Sequence, residues 1–250
     1  MALAVRLRSA VSLLGRFPAL AGVDLDVAAG EIVLVQGSNG AGKTTLLRAL
    51  AGLAAFTAGQ AEVLGHDMRK SRKAVRRRVG LLGHAAFLYD DLTVADNLRF
   101  SARAAGADSS SAVGAMARLG LDGRLRDVPA GKLSAGQRRR VAVAAVVARR
   151  PELWLLDEPH AGLDAAGRSL LDAIVQEAAA GGATVVLASH ELDRAAALAT
   201  RTVTMAGGQV HGGLRAPAGK ANPTAPGGDG APPRGGAGVG APAGKANIVA

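Results

Sequence analysis

The chain has 250 residues, a formal net charge of +10 at pH 7 and no cysteine, which excludes disulfide bonds and cysteine-ligated metals. Its length is enough for one sizeable α/β domain with a tail, and no apolar run approaches the ~20 residues that a helix needs to cross a bilayer. Aromatic residues make up 2% of the chain, too few to supply stacking platforms for nucleic-acid bases. We therefore expect no nucleic-acid partner, although the net charge is positive.

The first functional motif lies between a predicted strand over 31–36 and a predicted helix over 42–53. It fits the phosphate-loop pattern G-x-x-x-x-G-K-[ST], whose four fixed positions make a ligand-free glycine turn the weaker alternative. Its glycines let backbone N–H groups face phosphate oxygens, beside the positive end of the following helix. Lys43 is expected to neutralise the β- and γ-phosphates, and Thr44 to ligate Mg²⁺. The residues expected to hold a nucleoside triphosphate are Gly37, Ser38, Asn39, Gly40, Ala41, Gly42, Lys43, Thr44 and Thr45.

Between 69 and 150 the sequence contains a basic run, a strand and three predicted helices. Seven of the ten residues at 69–78 are basic, which is typical of a solvated face or of one near anionic lipid head groups. A strand over 79–83 ends at His84, and the helices follow at 93–105, 110–119 and 134–150. We interpret the interval 90–150 as a helical insertion between two strands of a parallel sheet.

A second motif is the apolar run 153–156, followed by Asp157 and Glu158. Continuous apolar character is typical of a buried parallel strand, which would deliver both carboxylates to the C-terminal edge of its sheet. There Asp157 would hold Mg²⁺, and Glu158 would accept a proton from the attacking water or orient it. Such a run is weak by itself, but behind a phosphate loop it indicates nucleotide hydrolysis.

The chain then alternates between a helix over 165–180, a strand over 184–187 and a helix that begins near 191. Beyond 211 glycine, proline and alanine dominate, and such a composition buries too little apolar surface to offset the entropy of ordering. We therefore predict a folded domain over 1–211 and a disordered tail over 212–250. The heptad Ala-Pro-Ala-Gly-Lys-Ala-Asn occurs twice in this tail, and we assign it no function.

A third motif, Leu133-Ser134-Ala135-Gly136-Gln137, precedes Asp157 and resembles the Leu-Ser-Gly-Gly-Gln signature of the ATP-binding-cassette (ABC) family. The run 161–164 resembles the family's D-loop, and His190, 33 residues after Asp157, resembles its switch histidine. The resemblance implies a phosphate-loop NTPase of the α/β class, with a mainly parallel sheet, N-terminal antiparallel strands and an inserted helical subdomain. It covers residues 3–211.

The same resemblance implies how the residues work. ATP would be sandwiched in a head-to-tail dimer, expected here to be a homodimer, with Mg²⁺ held by Thr44 and Asp157, partly through water. Lys43, Glu158, His190 and His84 would act in catalysis. The residues that would contact the nucleotide across the dimer are Ser134, Ala135, Gly136, Gln137 and Asp164. An integral membrane permease would be the further partner, which implies peripheral attachment at the cytoplasmic face of the cell membrane.

Two positions depart from the general family pattern. His84 stands where the family usually has glutamine, and Leu14 stands where an aromatic residue stacks on adenine, with Phe17 as a nearby substitute. The pair Gly83-His84 and the alanine in the signature resemble the haem-exporter ATPases of cytochrome c maturation, which would not bind haem directly. An ATPase of another small exporter, for drugs or lipids, is the alternative. A soluble ABC ATPase that acts on ribosomes or DNA fits less well, because the chain has a single cassette and only 112 residues separate Thr44 from Asp157.

Overall fold

A computed structural model of the protein describes residues 2–214, so residues 215–250, which hold most of the predicted tail and both heptads, lie outside the described part. Two sheets carry the fold. The first is antiparallel, with the order β2-β1-β4-β5. Its strands are β1 (Leu3–Leu14), β2 (Phe17–Ala28), β4 (Ala58–Val63) and β5 (His66–Asp67).

The second sheet has the strand order β10-β9-β3-β8-β7-β6 and is parallel except at β10. Its strands are β3 (Ile32–Gln36), β6 (Val79–Leu82), β7 (Leu153–Asp157), β8 (Thr184–Ala188), β9 (Arg201–Ala206) and β10 (Gln209–His211). Every residue of β7 and β8 is buried, because both faces of the sheet are covered. Alternate residues of β7 enter two different hydrophobic cores, with Trp154 and Leu156 in one and Leu153 and Leu155 in the other.

Seven α-helices and one short 3-10 helix (Ala130–Lys132) lie within residues 2–214. The α-helices are α1 (Lys43–Leu50), α2 (Met68–Val75), α3 (Val94–Ala105), α4 (Ser109–Arg118), α5 (Ala135–Arg149), α6 (Ala165–Ala180) and α7 (Leu192–Leu198). Helices α3, α4 and α5 pack on one another between β6 and β7 in the chain. Helix α3 begins at its cap Thr93 and buries Val94, Leu98 and Ala102, which share one face. None of these helices combines the length and apolar character that crossing a membrane requires.

The prediction of a parallel sheet with N-terminal antiparallel strands and inserted helices is confirmed. The limits 1–211 for the domain and 90–150 for the insertion stay predictions. Helix α1 is shorter than expected, because the chain leaves the helix at Ala51, and β6 ends two residues before His84. The basic run 69–78 contributes most of α2, which Asp67 caps and which exposes its cations to solvent.

Candidate active site

The phosphate loop connects the carboxyl end of β3 with α1. Gly37 and Gly42 have φ angles of 153° and 105°, and a Cβ atom on either residue would lie 2.2 or 2.6 Å from a backbone carbonyl oxygen. Only glycine therefore fits these two positions. Ser38, Asn39 and Gly40 are exposed at the tip of the loop. Among the described residues, no backbone carbonyl accepts a hydrogen bond from the amides of Gly40 and Gly42, which leaves donors for an anion.

Lys43 folds back over this loop. Its Nζ atom donates to the carbonyl oxygens of Gly37 at 2.6 Å and Ser38 at 3.0 Å. These bonds use two of the three ammonium donors and hold a buried charge at the mouth of the loop. The third donor and the charge can serve phosphate oxygens.

Thr44 and Asp157 join the first turn of α1 to the end of β7. The Thr44 Oγ1 atom donates a hydrogen bond of 2.8 Å to Asp157 Oδ2. A hydroxyl and a carboxylate at this spacing are hard oxygen ligands that suit Mg²⁺, which binds few protein groups and takes its other ligands from phosphate and water. No cluster of three or more histidine, cysteine, aspartate or glutamate side chains that could hold a metal occurs within residues 2–214.

Glu158 and His190 lie at the carboxyl ends of the neighbouring strands β7 and β8. The His190 backbone N–H donates to Glu158 Oε2 at 3.0 Å, and the His190 Nε2 atom lies 3.3 Å from Glu158 Oε1. Glu158 has a left-handed backbone with φ of 47°, which non-glycine residues seldom adopt. The Glu158 side chain is 21% exposed, so it can meet a substrate water while the backbone stays fixed.

The signature residues lie at the start of α5. Ser134 and Gln137 form a reciprocal capping box, with Gln137 N donating to Ser134 Oγ and Ser134 N donating to Gln137 Oε1. Ser134 and Ala135 are exposed, and Gly136 and Gln137 are half-buried. Within residues 2–214 no hydrogen bond joins these four residues to the phosphate loop.

Asp164 lies between the signature helix and α6. Its Oδ1 atom caps α6 by accepting from Gly167 N at 2.8 Å, and its Oδ2 atom accepts from the Arg140 guanidinium at 2.7 Å. The Gly167 amide and then Arg140 lower the pKa of the Asp164 carboxyl. Asp164 is thus anchored to both helices, and among the described residues it forms no hydrogen bond with the other predicted site residues.

His84 follows β6, the strand next to β7, and the adenine candidates lie at the turn between β1 and β2. His84 is exposed in the bend after β6, and among described residues its side chain makes no hydrogen bond. Leu14 and Phe17 pair across the β1–β2 turn and are 71% and 79% exposed. Their roles stay predictions.

Sequence reasoning missed two buried polar groups beside the site. Arg139 is buried on α5 and donates to backbone carbonyls of the loop after β6 and of the end of β7. His160, two residues after Glu158, is buried and its Nε2 atom lies 2.7 Å from Asp172 Oδ1; Asp172 also pairs with Arg194. The spacing of Arg139 from the apolar residues Ala142, Val143 and Val146 places it on the buried face of α5, which is the one available signal for it.

Known protein families and curated proteins match most of this chain. The ABC transporter family model matches residues 20–161. The protein named cytochrome c biogenesis ATP-binding export protein CcmA from Bordetella bronchiseptica is 40% identical over 207 residues, which cover 80% of this chain and 89% of the relative. The protein of the same name from Aromatoleum aromaticum is 43% identical over 173 residues, covering 68% and 80%.

Solved structures give the same result for the fold. A dimeric ATP-binding cassette in a post-hydrolysis state, bound to ADP and phosphate, superposes with a TM-score of 0.76 and 25% identity over 82% of this chain and 96% of its own. The ATP-binding subunit of an ABC transporter superposes with a TM-score of 0.77 over 82% and 87%. These matches confirm the fold class and the resemblance inferred from the motifs. The chain belongs to the ABC transporter family.

Proposed function

We propose that this chain is the ATP-hydrolysing subunit of a membrane exporter in cytochrome c biogenesis, the haem exporter. The observation that carries the proposal is the set of hydrogen bonds that brings Thr44, Asp157, Glu158 and His190 to one edge of the parallel sheet. The pathway is inferred from the names of the relatives and from the large share of each chain that the matches cover. ATP hydrolysis would occur at this edge.

The chemistry assigns a step to each residue. Lys43 and the loop amides bind the β- and γ-phosphates. Thr44 and Asp157 would hold Mg²⁺, which would supply positive charge beside the phosphate oxygens. A water oxygen attacks the γ-phosphorus while the bond to the β-phosphate oxygen breaks, which gives ADP and phosphate. Glu158 accepts the proton of that water, and the His190 imidazole contacts the γ-phosphate.

A dimer would complete the site. The exposed start of α5 offers the Ser134 hydroxyl and the N–H groups of Ala135 and Gly136, which no backbone carbonyl among the described residues accepts. These donors suit the γ-phosphate of a nucleotide on a second copy. Asp164, which Arg140 anchors next to this helix, would lie at the same interface. A dimeric cassette among the solved relatives supports this arrangement. We propose a head-to-tail homodimer.

The permease would bind in an apolar groove of about 620 Å³ between the parallel sheet and the inserted helices. Phe87, Tyr89 and Phe100 line this groove and are 66%, 54% and 50% exposed, with the Tyr89 and Phe100 rings packed edge to face at 5.0 Å. Such exposure of aromatic side chains is typical of a protein–protein contact. The segment that lines the groove begins beside His84. We propose that a helix of the permease lies there, with His84 beside it, and that this chain is attached at the cytoplasmic face of the membrane.

Deletion of the gene tests the pathway. Covalent haem in the c-type cytochromes of the deletion strain should be lost, while b-type haem persists, and the parental gene should restore it. The Lys43→Ala variant, expressed at the parental level, should not restore it. Normal c-type cytochromes in the deletion strain would exclude this pathway and favour another export substrate. Copurification of the chain with a polytopic membrane protein would separate an exporter subunit from a soluble ABC ATPase.

A further inference from the structure

Arg139 is a buried cation in the second turn of α5, at 7% exposure. Its neighbours Arg138 and Arg140 form ion pairs with Asp90 and Asp164. Arg139 instead has no carboxylate within ion-pair distance among the described residues, and its guanidinium donates only to backbone carbonyls. Burying an arginine in this way is costly unless its donors are used, so the contacts that it makes require a reason.

The guanidinium joins two segments of the active site. One terminal nitrogen donates to Gly83 O at 2.7 Å, in the bend that contains His84. The other donates to Glu158 O at 2.5 Å and lies 3.3 Å from Asp157 O. A planar fork of fixed N–H directions can hold carbonyls from two different segments at once.

These bonds act on one of the few non-glycine residues with a left-handed backbone among those that the structure describes. Glu158 has φ of 47°, and its N–H donates to Ala188 O at 2.8 Å on one side. Arg139 holds the carbonyl on the other side. With both ends of this residue fixed, the carboxylate is directed toward His190. Burial lowers the pKa of Arg139, and the nearby charges of Asp157 and Glu158 offset part of this effect.

We propose that Arg139 is a positioning residue, which fixes the Glu158 carboxylate for proton transfer by tying its backbone to the Gly83–His84 segment. The inference rests on the proposed role of Glu158. The Arg139 guanidinium also connects the groove-lining segment to the proposed general base, because it donates hydrogen bonds both to the bend after β6 and to the residue that follows β7. A displacement of about 1 Å at a reacting group can cost two orders of magnitude in rate.

The substitution Arg139→Gln removes the fork and the charge, and Arg139→Lys keeps a charge but reaches fewer carbonyls. In the complex with its membrane partner, we expect kcat for ATP hydrolysis to fall about tenfold or more in both variants, while the Kd for ATP changes by less than about threefold. The matched control is Arg138→Gln, one residue away on α5, which should keep the parental kcat. Melting curves identify the folded variants, and Arg139→Lys supplies the measurement if Arg139→Gln does not fold.

A double substitution separates positioning from general destabilisation. If Arg139 acts through Glu158, adding Arg139→Gln to Glu158→Gln should not lower the single-turnover rate further, because the base is already absent. Multiplicative losses, or a parental kcat for Arg139→Gln, would overturn the inference. Its failure is distinct from that of the proposed function, since Glu158→Gln alone at the parental rate would contradict the role of Glu158 itself.

Discussion

His190 contacts both carboxylate oxygens of Glu158, through its backbone N–H at 3.0 Å and its Nε2 atom at 3.3 Å. The two residues follow adjacent parallel strands, paired so that Asp157 lies opposite Ala188. Any movement of the loop that carries His190 therefore alters the surroundings of the proposed base. A nucleotide γ-phosphate that binds His190 would compete with Glu158 for the imidazole and free a carboxylate oxygen for water.

The substitution Glu158→Gln should keep ATP binding and abolish most turnover. The amide oxygen can still accept the His190 N–H but takes no proton from water, and loss of a general base lowers rates by on the order of 10²- to 10⁴-fold. Steady-state phosphate release measures the loss, and size-exclusion chromatography with ATP should reveal a trapped dimer. Glu177→Gln, an exposed glutamate paired with Arg118 on the protein surface, is the control. Parental turnover in Glu158→Gln would contradict the assignment.

The substitution Lys43→Ala should weaken the binding of ATP itself. It removes the charge at the mouth of the loop and leaves the carbonyls of Gly37 and Ser38 without their donor. Loss of a charged hydrogen bond corresponds to roughly a 10- to 100-fold rise in Kd, which a fluorescent ATP analogue can measure. Lys70→Ala, in the exposed part of α2, should bind like the parent. An unchanged Kd in Lys43→Ala would show that the lysine does not reach the phosphates.

The fold was predictable where a short run of residues carries its own pattern. The apolar runs of β3, β7 and β8 and the glycines before α1 indicated the core of the parallel sheet and the loop. Strands β2, β9 and β10 were not located from the sequence, because their burial depends on pairing with other segments of the chain. Helix α2 buries only Met68 and Val75, at its two ends. Its sequence therefore shows a basic run and lacks the apolar periodicity that predicts a helix.

The residues of the candidate site likewise divide into those that a local motif predicts and those that it does not. Thr44, Asp157 and Glu158 follow from motifs whose spacing is local, whereas Arg139 stands in the middle of three consecutive arginines that read as a solvated run. Apart from its spacing from the apolar residues that follow it, the packing of α5 against β6 distinguishes it from its neighbours. Arg138 and Arg140 face acidic side chains, and Arg139 faces the backbone. The contact between Asp164 and Arg140 likewise depends on where α5 and α6 meet.

The ion pair of Glu152 and Arg78 predicts a pH-dependent contribution to stability. Both Glu152 oxygens accept from the guanidinium, at 2.6 and 2.7 Å, and this lowers the pKa of Glu152. A lowered pKa in the folded protein stabilises it above the unfolded value of about 4.3, and the contribution is lost as pH falls through the folded value. The Glu152 side chain is 55% exposed, so the effect should stay below about 1 kcal/mol.

Glu152→Gln should therefore lower the melting temperature slightly at pH 7 and leave it unchanged well below pH 4. Glu62→Gln, an exposed glutamate of β4 with no ion pair among the described residues, controls for the loss of a carboxylate. Equal melting temperatures of Glu152→Gln and the parent across the whole pH range would contradict the stabilising pair.

The groove between the sheet and the inserted helices predicts a variant that separates partner binding from nucleotide binding. Phe100→Asp places a charge among Phe87, Tyr89 and the apolar wall of the groove, where an apolar helix of the permease would have to desolvate it. We expect the variant to fold and to bind ATP, because Phe100 is half exposed and lies outside the phosphate loop, but to lose copurification with the membrane protein. Val113→Asp, equally exposed on α4 and not part of the groove lining, should copurify normally. Copurification of Phe100→Asp at the parental level would place the permease contact elsewhere.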